Sequence, residues 1–175
     1  RERLSDRTAH NVLRSERAGV TVHEARTELE VSAYYKVLHA YYRTKLHRYL
    51  PGEDFFQRLL HTPRAHILVA YYKGRVVGGA SVMESKGDGY LWYMAAQGKR
   101  YPTARPLTAT VWHALEYCHA LKLRHVFFLN VGLPFRRNPY REFILGFGGK
   151  PTSTYRCFHF TIGWFNRILS WFYKE

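Results

Sequence analysis

The chain has 175 residues, 46% of them hydrophobic and 17% aromatic, which supports a packed core and excludes a disordered tail. Lys and Arg number 27 against 13 Asp and Glu, a formal net charge of +14 that points to anionic partners: nucleic acid, phospholipid head groups or phosphorylated small molecules. Two cysteines exclude a disulfide framework, no Cys/His pair has metal-ligand spacing, and no apolar run reaches the roughly 18 residues of a membrane span.

The first segment, "SDRTAHNVLRSERAGVTVHEA", predicts a helix and then a strand, with Ser5 or Asp6 as cap, Gly19 as terminator and an alternating "VTV". Apolar and aromatic residues at 31, 34, 35, 38, 41, 42 and 46 recur at three- and four-residue steps and predict one helix over 28–48. Pro51 ends it, and "GEDFFQRLL" starts another helix with Glu53 and Asp54 in its first turn. The period then changes. "AHILVAYYKGRVVGGASVMES" reads as a hairpin turning at Lys73-Gly74, and "GYLWYMAAQ" as a third strand.

"PLTATVWHALEYCHALKL" predicts a helix with Pro106 at its start and Leu107, Val111, Leu115, Cys118 and Leu121 on one stripe. "RHVFFLNVG" is a short apolar strand of the kind covered on both faces. "NPYREFILGF" predicts a short helix, "STYRCFHFTI" a last strand, and "GWFNRILSWFYKE" an aromatic terminal segment. Three antiparallel strands, a long helix and a further strand give an α/β (α+β) chain: a mixed, mainly antiparallel sheet with helices on both faces. Cys118 and Cys157 read as small buried hydrophobes, so the expected compartment is the cytoplasm, or the inner face of the membrane. Residues 1–175 read as one domain, and the abrupt start at "RERLSDRT" makes the C-terminal half of a longer two-domain protein the other expectation.

This order resembles the GNAT acyltransferase fold. "NVLRSERAGVTV", "HILVAYYKGRVVGGASVM", "YLWYMAA" and "REFILGFGGKP" are similar to the Fem-type peptidoglycan aminoacyltransferases and their uncharacterised GNAT relatives. There a basic helix ending in an A-x-x-x-G-V-x-V phrase leads into the second of two GNAT-like domains. Ser15, Gly19, Val20 and Val22 stand in that phrase, with Ser where Ala is usual. The late F-K-x-x-F-G phrase is met by Phe143, Phe147 and Gly148, with Ile144 in place of Lys.

The resemblance implies N-acyl or aminoacyl transfer at a splayed pair of neighbouring parallel strands, without metal or tightly bound cofactor. The co-substrate is acyl-CoA or aminoacyl-tRNA, and the acceptor an amine on a small molecule or a nucleotide- or lipid-linked cell-wall precursor. Trp92–Ala95 would face Leu129–Val131 across the splay, with Tyr93 and Met94 beside the acyl group. Ordinary GNAT enzymes hold the cofactor pyrophosphate on Q/R-x-x-G-x-G/A, where bare backbone approaches closely. This chain has "QGKRYPTARPLT" instead. Gln97, Lys99, Arg100, Arg105 and Thr108 supply charge and hydroxyl there, while Pro102 and Pro106 remove two donors.

Asn130 ends the fourth strand as a polar group for the cleft or a turn residue. Glu84, His113, Glu116 and Tyr140 are the acid–base candidates, with Glu84 as base through water and Tyr140 as leaving-group acid. Arg136, Arg137, Arg141 and Lys150 alternate with aromatics over 130–151 and suit substrate phosphates or a tRNA acceptor end. A non-catalytic basic module for nucleic acid or anionic membrane is the rival, with 163–175 as peripheral membrane contact or core closure. Lysine or polyamine acetylation with ordinary CoA use is a third reading, on fold analogy.

Overall fold

A computed structural model describes residues 4–46, 49–129, 138–152, 163, 164 and 167, the side chains of 45 and 46 excepted. Helix α1, Asp6–Arg17, starts where the Ser5 hydroxyl accepts the Thr8 N–H, and Gly19 at φ +83° turns the chain into β1, Thr21–Glu24. Helix α2, Glu28–Tyr41, opens on a capping box: Thr27 Oγ1 accepts the Glu30 N–H while the Glu30 carboxylate accepts the Thr27 N–H.

The single helix expected over 28–48 is not formed. After Tyr41 the chain winds as a π-turn over Tyr42–Leu46. Thr44 gives a reason: its hydroxyl donates to Ala40 O at 2.7 Å, the acceptor the next α-helical bond would use. Helix α3, Glu53–Leu60, follows Pro51.

Strands β2, Ala65–Tyr72, β3, Arg75–Ser85, and β4, Asp88–Ala96, then form two consecutive hairpins. Lys73 and Gly74 both take positive φ, as do Lys86 and Gly87 at the second turn, matching the right-handed twist of the strands. Helix α4, Pro106–Ala120, crosses to β5, Val126–Phe128, and α5 spans Pro139–Leu145. The sheet runs β1-β2-β3-β4-β5, antiparallel except for the parallel β4–β5 pair.

Helices α2 and α3 cover one face through Val31, Tyr34, Leu38, Phe56 and Leu59. Helix α4 covers the other against Leu68, Ala80, Val82 and Leu91, and α1 and α5 pack on it through Val12 and Ile144. Leu121 lies past the end of α4 and is 38% exposed, so the buried stripe runs instead through Thr110, Val111, Ala114 and Cys118. Burial pushes the Cys118 thiol up to about 11, with Glu84 adding to it, consistent with an unreactive small hydrophobe. Strand β5 is shorter than the apolar run around it and half-buried. Asn130, the strand expected over 153–162 with Cys157, and most of 163–175 lie outside the described residues. Among the described residues no helix is long and apolar enough to cross a membrane.

Candidate active site

The parallel pair is short. Gly89, Tyr90 and Leu91 lie opposite Val126, Phe127 and Phe128, and Leu129 N–H donates to Leu91 O at 3.3 Å. From Trp92 to Ala96, β4 pairs only with β3 among the described residues. At the same point the β3–β4 register slips: Val82 faces Leu91 but Ser81 faces Tyr93, so Trp92 is the extra residue of a β-bulge. The bulge reverses which backbone groups point to which edge.

The fully buried Tyr34 fixes that reversal from beneath. Its hydroxyl donates to Tyr93 O at 2.9 Å and lies 3.0 Å from Ser81 Oγ. A trans peptide points its C=O and N–H in opposite directions. Fixing Tyr93 O therefore fixes the Met94 N–H in the opposite direction. Gln97 N–H donates to Val77 O at 2.7 Å, and by strand alternation Tyr93 and Ala95 share that direction, towards β3, while Met94 and Ala96 face the strand's other edge. Met94's side chain packs on the α4 side and Tyr93's on the α2 side, where burial raises its phenol, helped by Tyr49. Tyr34 reads in sequence only as another apolar-face residue. The signal that could have revealed it is Gly78-Gly79 inside a strand pattern: a Cβ on Gly79 would lie 2.5 Å from Tyr34 Cδ2.

Beyond β4, Gln97 O accepts the Arg100 and Tyr101 N–H groups, each at 3.1 Å, and curls residues 97–101 into a turn. Lys99, Arg100 and Arg105 are exposed, with the Arg100 guanidinium 5.7 Å from the centre of the Tyr101 ring. Arg105 caps α4 in the left-handed region (φ 48°, ψ 48°) and offers no side-chain capping bond. Pro106 has no N–H, Ala109 N–H returns to Arg105 O, and the amides of Leu107 and Thr108 have no acceptor among the described residues. Two donors and the positive end of a helix thus face the basic loop. Thr108 is buried.

On α5, Asn138 Oδ1 accepts the Tyr140 N–H at 2.9 Å and the Arg141 N–H at 3.3 Å. This cap puts Tyr140 in the first helical turn. Burial pushes its phenol well above the ordinary tyrosine value, and Tyr41 and Tyr42 add to the shift. Tyr93, the π-turn and Tyr140 thus belong to one tyrosine-rich region, since the Tyr42 ring lies 6.1 Å from that of Tyr93. Arg141 is half-buried and Lys150 exposed; Arg136 and Arg137, with Asn130, lie outside the described residues.

Glu84 is not drawn into this group. Its carboxylate is 2.6 Å from His66 Nε2, while His66 Nδ1 lies 2.6 Å from Glu24 and 2.8 Å from the Tyr117 hydroxyl. That cluster ties β1, β2 and β3 to α4. Glu84 pairs with Gly89, about 26 Å of strand away from Gln97. His113 Nδ1 and Glu116 pair at 3.1 Å on α4. Among the described residues no cluster of His, Cys, Asp and Glu has the arrangement of a metal site.

A mixed sheet with one parallel pair, a bulge in β4 just past that pair and a long helix after the strand's end give the layout expected of an acyltransferase fold. Residues 3–137 match the family model described as an acetyltransferase (GNAT) domain, and the chain belongs to that family. No curated protein matches the sequence. Among solved structures it is similar to a ribosomal-protein-alanine N-acetyltransferase from Brucella melitensis biovar Abortus 2308, at 13% identity, TM-score 0.60, covering 81% of this chain and 99% of that one. It is also similar to an aminoglycoside acetyltransferase from an uncultured soil metagenomic sample, at 17% identity, TM-score 0.56, covering 82% and 97%. A Trypanosoma brucei acetyltransferase matches at 14% identity and TM-score 0.56, covering 81% and 99%. Such identities speak to the fold, and the fold class expected from the sequence is the one observed.

Proposed function

We propose that this protein is an N-acyltransferase that moves an acyl group from acyl-CoA to an amine nitrogen at the open edge of β4. The observation that carries this reading is the peptide between Tyr93 and Met94, pinned by Tyr34, with the Met94 N–H on the edge of β4 away from β3, just past the parallel pairing that ends at Leu91. An amide held there donates to the acyl carbonyl and to the negative charge that develops on it.

The residues present fit the donor's phosphates. Leu107 and Thr108 offer amides without an acceptor among the described residues, Lys99, Arg100 and Arg105 offer cations, and a Cβ on Gly98 would meet nothing within 4 Å. Acyl-CoA would supply an activated thioester; the protein would hold its anionic end and the carbonyl. Tyr140 is protonated at neutral pH, and burial raises its phenol further; it donates that proton to the leaving sulfur and regains one, through water, from the amine, so no buried phenolate persists. The amine loses its proton to water. Glu84, bonded to His66 on the α4 side, stands apart from that transfer.

The test is calorimetric titration with acetyl-CoA followed by thiol release in the presence of primary amines. Binding in the micromolar range is expected, and Tyr140→Phe should lower kcat about a hundredfold with KM for acetyl-CoA nearly unchanged. Absence of acetyl-CoA binding would overturn the reading. The +14 charge favours a second one, Fem-like transfer from aminoacyl-tRNA to a nucleotide- or lipid-linked cell-wall precursor. Aminoacyl-tRNA binding that falls steeply with salt, without acetyl-CoA binding, supports it. Nucleic-acid or vesicle binding with no acyl transfer from either donor leaves the basic module.

A further inference from the structure

An aromatic shelf lies beside β4 on the side of α2 and α3. Trp92, the bulge residue, stacks on Tyr93 with ring centres 5.2 Å apart at 29°. Phe55 meets both edge-on, at 5.6 Å from Trp92 and 6.2 Å from Tyr93. Tyr42, from the π-turn, closes on Tyr93 and touches Tyr41 at 6.2 Å. A single exposed aromatic would carry no meaning. Here the rings of four residues from three separate elements converge, and Trp92 remains 36% exposed. The bulge is what turns Trp92 to this position.

The charge around the shelf is as informative as its rings. Tyr93 and Tyr140 are perturbed by burial and by other tyrosines. Tyr71 and Tyr117, elsewhere in the fold, are perturbed by burial and then by Glu30, or by Glu24 and Glu84. Glu53 at the start of α3 is bonded to the Ser32 hydroxyl. Asp54, exposed beside Phe55, is the one carboxylate adjacent in the chain to a shelf ring, and the exposed Arg43 stands beside Tyr42. A polycation needs several carboxylates to replace its hydration, and the +14 chain repels it at long range. A flat apolar body carrying one ammonium loses little water on aromatic faces and keeps a cation–π contact.

We propose that Trp92, Tyr93, Phe55 and Tyr42 form the acceptor subsite and select a monoamine with a flat apolar or aromatic body over polyamines and aminoglycosides. This rests on the acyl-transfer reading. The full chain labelled with 5-fluorotryptophan has four tryptophans, and Trp92→Phe assigns the Trp92 signal. Titration with phenethylamine is expected to shift that signal saturably, and spermidine and kanamycin to leave it in place. Trp92→Ala should raise KM for phenethylamine about tenfold, and Trp92→Phe much less, with KM for acetyl-CoA held. A shift by spermidine or kanamycin alone, or by none of the three, overturns the subsite. Acetyl-CoA calorimetry on the same sample separates the failures. Binding of acetyl-CoA with a silent Trp92 sinks the shelf alone, and a responsive Trp92 without acetyl-CoA binding sinks acyl-CoA transfer and keeps the amine site.

Discussion

Tyr34 joins the core to the chemistry through one hydroxyl. Its ring is buried among Val31, Leu38 and Phe56, and the hydroxyl meets Ser81 and the Tyr93 carbonyl. Burial and the loss of phenolate solvation keep it protonated far above the ordinary tyrosine range, so it acts as a fixed donor. Tyr34→Phe keeps the ring and removes only the hydroxyl, leaving a buried carbonyl and a serine short of a partner. The expected cost is about 1–2 kcal/mol by urea unfolding. Loss of packing alone would stop there. A released Tyr93–Met94 peptide should also lower kcat, with KM for the acyl donor nearly unchanged, because the lost contact orients the oxyanion donor rather than the phosphate site. An unaltered kcat in a folded Tyr34→Phe protein would remove Met94 N–H from the mechanism.

At Gly79 the Tyr34 ring of α2 packs directly on the β3 backbone, leaving no room there for a side chain. A Cβ on Gly79 would come within 2.6 Å of Leu68 O as well as striking the Tyr34 ring. Gly79→Ala should therefore destabilise the fold by about 1–3 kcal/mol in thermal or urea unfolding, whereas Gly98→Ala, in open space, should cost little. Much of this architecture is legible locally. Ser5 and Gly19 bound α1, and Gly74 marks the first hairpin turn by its tolerance of positive φ. The bulge at Trp92 is not legible, because one inserted residue leaves the apolar pattern of "YLWYMAA" intact and appears only against β3. The π-turn depends on a single threonine hydroxyl. For the site, Tyr93, Met94 and the 97–108 loop follow from the order of elements. Glu84 looks free as a strand-end carboxylate until the β1–β2–β3 register brings His66 between it and Glu24.

Across the molecule, carboxylates and cations are unevenly matched. Glu24 and Glu84 face His66, Glu28 faces His61, Glu30 faces His23, and Asp88 faces His125 with Arg124. With these acids on histidines, Lys99 and Arg105 have no carboxylate partner among the described residues. These two flank the α4 N-terminus, so the molecule's positive field and the helix dipole act in the same direction on an anionic donor. Raising NaCl from about 20 to about 200 mM shortens the reach of that field from about 20 Å to about 7 Å. KM for acetyl-CoA should then rise several-fold in initial-rate kinetics while kcat holds, because attraction before binding is screened and the short-range amide contacts are not. Lys99→Ala with Arg105→Ala should raise KM at low salt and flatten its salt dependence. A salt dependence equal in wild type and double variant would place the phosphates elsewhere on the basic surface. An affinity for aminoacyl-tRNA falling by orders of magnitude over the same range, against a flat acetyl-CoA response, would mean that the +14 charge serves a polyanion.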